Sequence, residues 1–135
     1  MISAQVPLRV PHAGRMRWLG ATGTREGDVL SCPVSLPTDG PFVLRGEAPS
    51  SISVELIAQA AAALLALSDD GPTRRGHLLA VRALSLNGPT LRLRETLSVR
   101  VRATLGGELA TVRGEVLRGD DTLAAATLTL RLEPR

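Results

Sequence analysis

The chain contains no Lys and no Tyr, and only one Phe, one Trp and one Cys among its 135 residues. A lone cysteine excludes an intrachain disulfide and is the usage expected of a reducing, cytoplasmic setting. Cys32 stands in a strand-like run and reads as a small core residue rather than a nucleophile. Trp18 and Phe42 are too few aromatics for a platform on which bases stack, and no Arg-rich block is present, so nucleic acid is not expected as a partner. Two His and one Cys, far apart in sequence, do not make a zinc constellation, and there is no Gly-rich nucleotide loop. No cofactor is therefore implied. Neither a signal peptide at Met1–Pro11 nor an apolar run of membrane-spanning length is found, so no membrane role is expected. All 16 Lys/Arg positions are Arg, against 13 acidic residues, for a net charge of +3. A mildly basic surface of this kind suits an acidic partner.

What the chain does have is one long apolar segment, Ser50-Ser-Ile-Ser-Val-Glu-Leu-Ile-Ala-Gln-Ala-Ala-Ala-Ala-Leu-Leu-Ala-Leu67. Ala and Leu are strong helix formers. Ser50 or Ser51 is placed to cap the first turn, and Ser68, Asp69, Asp70, Gly71 and Pro72 stop the helix. From Val54 to Leu67 only Glu55 and Gln59 are polar, and four residues apart they share a face. A helix apolar nearly all round must be wrapped by something. A carboxylate on a buried helix costs several kcal/mol unless it is paired, hydrogen-bonded or protonated, which makes Glu55 the first candidate for chemistry. The competing reading is a hydrogen-bonded structural Glu with no substrate.

The rest of the chain reads as strands. Residues 1–14 look irregular, with Pro7 and Pro11 as breakers. Arg15–Thr22 reads as a strand, Gly23–Gly27 as a turn, and Asp28–Leu36 as the hairpin partner, with Pro33 implying an edge or a bulge. Pro37–Pro49 is a loop carrying Arg45, and Asp69–Gly76 is a polar connection carrying Arg74 and Arg75. Strands follow at His77–Leu86, Thr96–Leu105, Leu109–Leu117 and Thr122–Leu132, with Gly106-Gly107 as a hairpin turn. In Thr96–Leu105 the residues Leu97, Val99, Val101, Ala103 and Leu105 share one face. Two strands, a buried helix and then a meander predict an antiparallel sheet curled round the helix. This is the α+β hot-dog arrangement, expected here as a single domain over 1–135. Such a sheet has an open edge, which a dimer joined edge to edge would cover.

Two stretches carry a family resemblance. Val10-Pro-His-Ala-Gly-Arg-Met-Arg-Trp-Leu19 resembles the early Pro-His-x-x-x-Met/Phe-Leu-Leu segment of the beta-hydroxyacyl-acyl-carrier-protein dehydratases, and Val54-Glu-Leu-Ile-Ala-Gln-Ala-Ala61 resembles their Glu-x-x-Ala-Gln-Ala helix signature. Gly76-His-Leu-Leu-Ala-Val-Arg-Ala-Leu84 is similar to the matching strand of the aryl-polyene branch. The resemblance implies a dehydratase-like protein acting on 3-hydroxyacyl thioesters of acyl carrier protein or CoA, in fatty-acid or polyketide-type biosynthesis. It implies Glu55 as a catalytic acid and Gln59 as its support. It also implies substrate contacts at Phe42 and at the helix start, Ser50 and Ser51, where backbone N–H groups polarise the thioester carbonyl.

The pattern is broken at one place. The family places a His about fourteen or fifteen residues before the Glu, and here that place reads Asp39-Gly-Pro-Phe42. Phe42 matches, but Gly40 and Pro41 cannot do acid–base work. The Pro-Gly that commonly starts the helix is Pro49-Ser50. His12, in the early motif, is the candidate replacement base, and His77 reads as a plain strand-end residue. Whether the chain is an enzyme is thus left open at this level. It is a dehydratase of the relocated pair Glu55 and His12, a non-catalytic subunit paired with an active hot-dog partner, or a thioesterase using one helical carboxylate and a water. The implied partner is another hot-dog chain, the same or different.

Overall fold

The computed structural model describes residues 3–10, 16–67 and 76–133. The elements in chain order are β1 (Ser3–Pro7), β2 (Thr22–Glu26), β3 (Val29–Pro33), β4 (Glu47–Pro49), a 3-10 turn (Ser50–Ile52), α1 (Ser53–Ala66), β5 (Gly76–Leu86), β6 (Thr90–Arg92), β7 (Leu97–Gly106), β8 (Leu109–Arg118) and β9 (Asp121–Leu132). Seven strands form an antiparallel sheet in the order β1-β2-β3-β7-β8-β9-β5, and β4 pairs with β6 in a small second sheet at the helix entrance. One helix packed on a large antiparallel sheet is the hot-dog arrangement expected. Among the described residues no helix is long and apolar enough to cross a membrane.

The meander β7-β8-β9 follows the alternation of its residues. Leu97, Val99, Val101, Val112, Val116, Ala124, Leu128 and Leu130 are buried under α1. Leu105, expected on the same face, is 55% exposed, because β7 and β8 run on past the end of the helix that covers them. Against this sheet α1 lays Leu56, Ile57, Ala60, Ala61 and Leu64. The helix packs tightly on Gly114 of β8, where a Cβ would overlap Ile57 Cγ2. Cys32 is fully buried in β3, and burial pushes its thiol up to about 12, so it remains a neutral core group at ordinary pH.

Four expectations are corrected in the N-terminal third. Residues 3–7, read as irregular, form β1. It is an edge strand, where Pro7 can end the ladder without leaving a buried N–H unpaired. Of the described residues in 15–22, only Thr22 joins a strand, as the first residue of β2; residues 16–21 form none beyond an isolated bridge of Leu19 to Val34. Side chains take the backbone groups a ladder would use. Gln59 holds Trp18 N–H and Met16 C=O, and Arg17 donates to the carbonyls of Leu8 at 2.7 Å and Gly20 at 3.0 Å. The stretch read as the turn, 23–27, is mostly β2; a Cβ at Gly23 would lie 2.7 Å from Ser31 O and 2.9 Å from Leu8 Cδ2, so a closely packed strand looks like a loop in sequence. Pro33 sits in an interior strand, at its last position, with its carbonyl accepting from Gly20 N–H at 2.9 Å.

The helix entrance also differs. Neither Ser50 nor Ser51 caps α1 through its hydroxyl; the chain enters through the 3-10 turn, and Ser50 N–H donates to Pro89 C=O at 2.9 Å. Helix end signals at 68–72 and the connection with Arg74 and Arg75 lie outside the described residues. At the other end of α1, Arg9 donates to Ala66 C=O at 3.1 Å, a cation on the negative end of the helix.

Ser53 presents the reverse case. Its Oγ is buried with no hydrogen-bond partner among the described residues. An unpartnered buried hydroxyl forfeits its hydration without return, and Ala is the better helix former. Ser53→Ala is therefore expected to leave stability unchanged or raise it by about 1 kcal/mol. A urea titration showing a loss of that size would mean the hydroxyl is in fact bonded.

Candidate active site

The site is built on the first two turns of α1. Gln59 is wholly buried and anchors three groups. Its Oε1 accepts Trp18 N–H at 2.9 Å, and its Nε2 donates to Met16 C=O at 2.8 Å and to Glu55 Oε1 at 3.2 Å. Both ends of the amide are thus committed, which fixes its orientation. One side chain ties the segment 16–18 to the helix and holds the Glu55 carboxylate from behind.

Glu55 itself is only half-buried, which corrects the sequence expectation of a fully wrapped carboxylate. The single sheet covers one side of α1. Val54, Glu55, Ala58, Ala62 and Leu65 line the side it leaves partly open. Spaced by three and four, these residues form a continuous stripe. The stripe is apolar apart from Glu55, so the carboxylate opens onto a face that a substrate chain or a second subunit can cover.

Phe42 joins the same corner. Its ring meets Trp18 edge to face, with centroids 5.8 Å apart and planes at 76°, while Phe42 stays 47% exposed and Trp18 is buried at 5%. The loop that presents Phe42 closes in a tight hairpin. Leu44 and Glu47 exchange backbone hydrogen bonds at 2.8 and 3.0 Å around Arg45 (φ 53) and Gly46 (φ 76). Arg45, read as a loop charge, is thus a turn residue in left-handed conformation. Of the residues singled out from sequence, the structure therefore brings together Glu55, Gln59 and Phe42, through Trp18 and Met16. Ser51 stays exposed at the helix entrance, whereas Ser50 is buried with its N–H already bonded. His12 lies outside the described residues.

His77 is not part of this corner. β5 ends at Leu86, and Pro89, three residues on, bonds Ser50 at the start of α1. β5 thus runs back along the helix, and His77 lies at its far end, roughly 30 Å of extended strand away. There it bonds Glu133 Oε1 at 3.0 Å on the surface. In the loop before α1, Gly40 and Pro41 occupy consecutive turns, with Gly40 N–H donating to Pro37 C=O at 3.3 Å and Val43 N–H to Gly40 C=O at 3.1 Å. Sequence reasoning missed Trp18 and Met16 as partners of the site. A Trp in a chain otherwise nearly free of aromatics was the available signal.

A helix cradled on an antiparallel sheet, with a carboxylate on its first turn backed by a buried Gln, defines a hot-dog protein with one polar pair on its helix. The chain belongs to the ApeP-like family: the family model described as ApeP dehydratase matches residues 5–134. No curated protein sequence matches it. Among solved structures it is similar to the dehydratase heterocomplex ApeI:P from Xenorhabdus doucetiae, with TM-score 0.79, 20% identity, and coverage of 93% of this chain and 89% of that one. It is also similar to the virulence protein Cj0977 from Campylobacter jejuni (TM-score 0.69, 9% identity, 96% and 94% covered). A thioesterase from Haemophilus influenzae matches with TM-score 0.62 at 16% identity, over 81% and 74% of the two chains. At these identities the structural likenesses establish the fold.

Proposed function

We propose that this chain supplies the carboxylate half of a dehydratase site in an assembly of two hot-dog subunits, acting on 3-hydroxyacyl thioesters carried by acyl carrier protein or CoA, in fatty-acid or polyketide-type biosynthesis. The observation that carries the reading is the Glu55–Gln59 pair, held ready on the open stripe of α1, beside a pre-helix loop in which Gly40 and Pro41 stand where the family has His. The heterocomplex architecture of its structural relative supports a second, different subunit. In this scheme an imidazole removes the proton alpha to the thioester carbonyl. The Glu55 carboxylic acid gives its proton to the departing beta-hydroxyl. Water leaves as the double bond forms, and one proton is taken up and one released. Phe42 and Ala58 offer apolar contact to the acyl chain, and the helix entrance at Ser51 faces the thioester oxygen, where the helix dipole favours developing negative charge. The imidazole comes from the partner subunit in this scheme; His12, four residues before Met16 in the sequence, would be its source only in a complete enzyme.

The test is enoyl-thioester formation by the chain alone and by the chain assembled with an active hot-dog dehydratase. Glu55→Gln is expected to lower kcat at least 100-fold in the assembly, since general acid catalysis contributes about that much. His12→Ala is expected to have little effect there. Full activity of the isolated chain, abolished by His12→Ala, would overturn the half-site reading in favour of a complete enzyme. Similarity to thioesterases favours one further reading, hydrolysis by a Glu55-bound water; release of free thiol from an acyl thioester separates it from dehydration.

A further inference from the structure

The small sheet leads straight into the candidate site. β4 and β6, three residues each, pair as Glu47↔Arg92, Ala48↔Leu91 and Pro49↔Thr90, and β4 runs without a break into the 3-10 turn and α1. Ala48 and Leu91 are buried, so the middle of the pair is seated in the core. Its two ends are held from elsewhere, and both from the β8–β9 hairpin.

At the helix end, Asn87 N–H donates to Leu123 C=O at 2.8 Å, and Asn87 Nδ2 donates to Thr122 C=O at 2.7 Å. Two residues on, Pro89 C=O accepts Ser50 N–H. At the loop end, Leu93 N–H donates to Gly46 C=O at 2.9 Å. Two residues on, Glu95 Oε2 accepts from Arg118 at 2.9 Å, and Arg118 also reaches Asp121 at 3.4 Å. Glu95 Oε1 faces Arg92 at 3.9 Å, and Arg92 faces Glu47 at 3.7 Å. Glu47 accepts the Thr90 hydroxyl at 3.2 Å as well. Charges therefore alternate without a break from Asp121, at the β8–β9 turn, to Glu47, the first residue of β4. An isolated surface pair is worth little, but the Glu95 side chain is only 27% exposed and is shared by two arginines.

We propose that the β8–β9 hairpin is a remote positioning element of the candidate site, with Asn87 and Arg118 as its positioning residues. Both act through the small sheet. Asn87 fixes the stretch whose Pro89 carbonyl sets Ser50 and the first helical amides beside Glu55. Arg118, through Glu95, fixes the strand end that holds the Arg45–Gly46 turn next to Phe42. The inference rests on the dehydratase reading for what the helix entrance does to a thioester, and small displacements of such oriented groups lower rates strongly.

Amide hydrogen exchange in the full chain, read residue by residue, tests it. Asn87→Ala is expected to speed exchange at Ser50 about fivefold, and Arg118→Ala at Leu93 about tenfold, the factors that one lost hydrogen bond to a neutral and to a charged partner carry. Trp18 N–H, which Gln59 holds, should exchange at the wild-type rate in both variants. Arg118→Lys keeps the charge and should recover most of the protection at Leu93. Assembled with an active hot-dog dehydratase, both alanine variants should lose about fivefold in kcat with an unmoved pH profile, because Glu55 keeps its Gln59 support. Equal acceleration at Trp18 would mean general loosening. Unaltered exchange at Ser50 and Leu93 would mean that the core alone holds the small sheet. An unaltered kcat beside faster exchange would make the contacts structural only. Each of these overturns the proposal. Exchange is read without turnover, so a wild-type assembly that forms no enoyl thioester counts against the dehydratase reading and leaves the hairpin's role to be decided by exchange.

Discussion

Gly114→Ala is expected to destabilise the protein by about 3 kcal/mol, the upper part of the range for overpacking a core. For a chain of this length that is roughly a 10 °C fall in Tm. The reason is the tight packing of the helix on β8 at this glycine. A Cβ on Gly114 overlaps Ile57 Cγ2 and presses on Cγ1 at 3.0 Å and Cβ at 3.2 Å. Ile57 is fully buried between α1 and β8, so it has no free rotamer into which to withdraw. The helix must rise, which loosens the neighbouring contacts of Ala60 and Ala61. Ile57→Ala alone is expected to cost about 2–5 kcal/mol through the cavity it leaves. The double variant should cost about 1–2 kcal/mol less than the sum of the two, because one change makes room for the other. Thermal unfolding of the four proteins checks this. Simple additivity would show that the helix is not seated on Gly114.

The second large effect is at Gln59. Gln59→Leu keeps the volume but leaves Trp18 N–H and Met16 C=O without their partner. The buried Trp18 N–H costs about 1–3 kcal/mol when orphaned, whereas Met16 is 52% exposed and its carbonyl can turn to water, so a total loss of about 2 kcal/mol is expected. The segment 16–18 should come away from α1, taking with it the Trp18–Phe42 contact and the rear support of Glu55. Trp18 is the only Trp in the chain, so its fluorescence reads this directly. Emission should shift to the red in the folded protein, alongside a lower midpoint in urea. Unaltered emission and stability would mean that something other than Gln59 holds the early segment to the helix.

The long helix, the β7-β8-β9 meander and the pairing of a carboxylate with an amide four residues on were all legible in the residues. Each rests on a local period: 3.6 for α1, 2 for the strands, and one helical turn between Glu55 and Gln59. β1 and β2 were not legible, because Ser-Ala-Gln-Val-Pro and Thr-Gly-Thr-Arg-Glu carry one large apolar residue between them, and their strand character comes from pairing at one side of the sheet. Which of the two polar helix residues is buried was equally hidden. Both lie on one helix face, and only the position of the sheet and of the 16–18 segment makes Gln59 the interior anchor and Glu55 the residue facing out.

By itself, then, the sequence determined that an apolar helix must be covered by an antiparallel sheet, and that Glu55 and Gln59 are the polar pair on that helix. Both follow from short-range spacing and from the cost of exposing or burying side chains. The tertiary structure alone decided what supports Glu55, and that Asn87 and Glu95, at the two ends of the small sheet, both reach the β8–β9 hairpin across strands far apart in the chain. Those depend on register between strands, and register is set by the packing of the whole sheet against its helix.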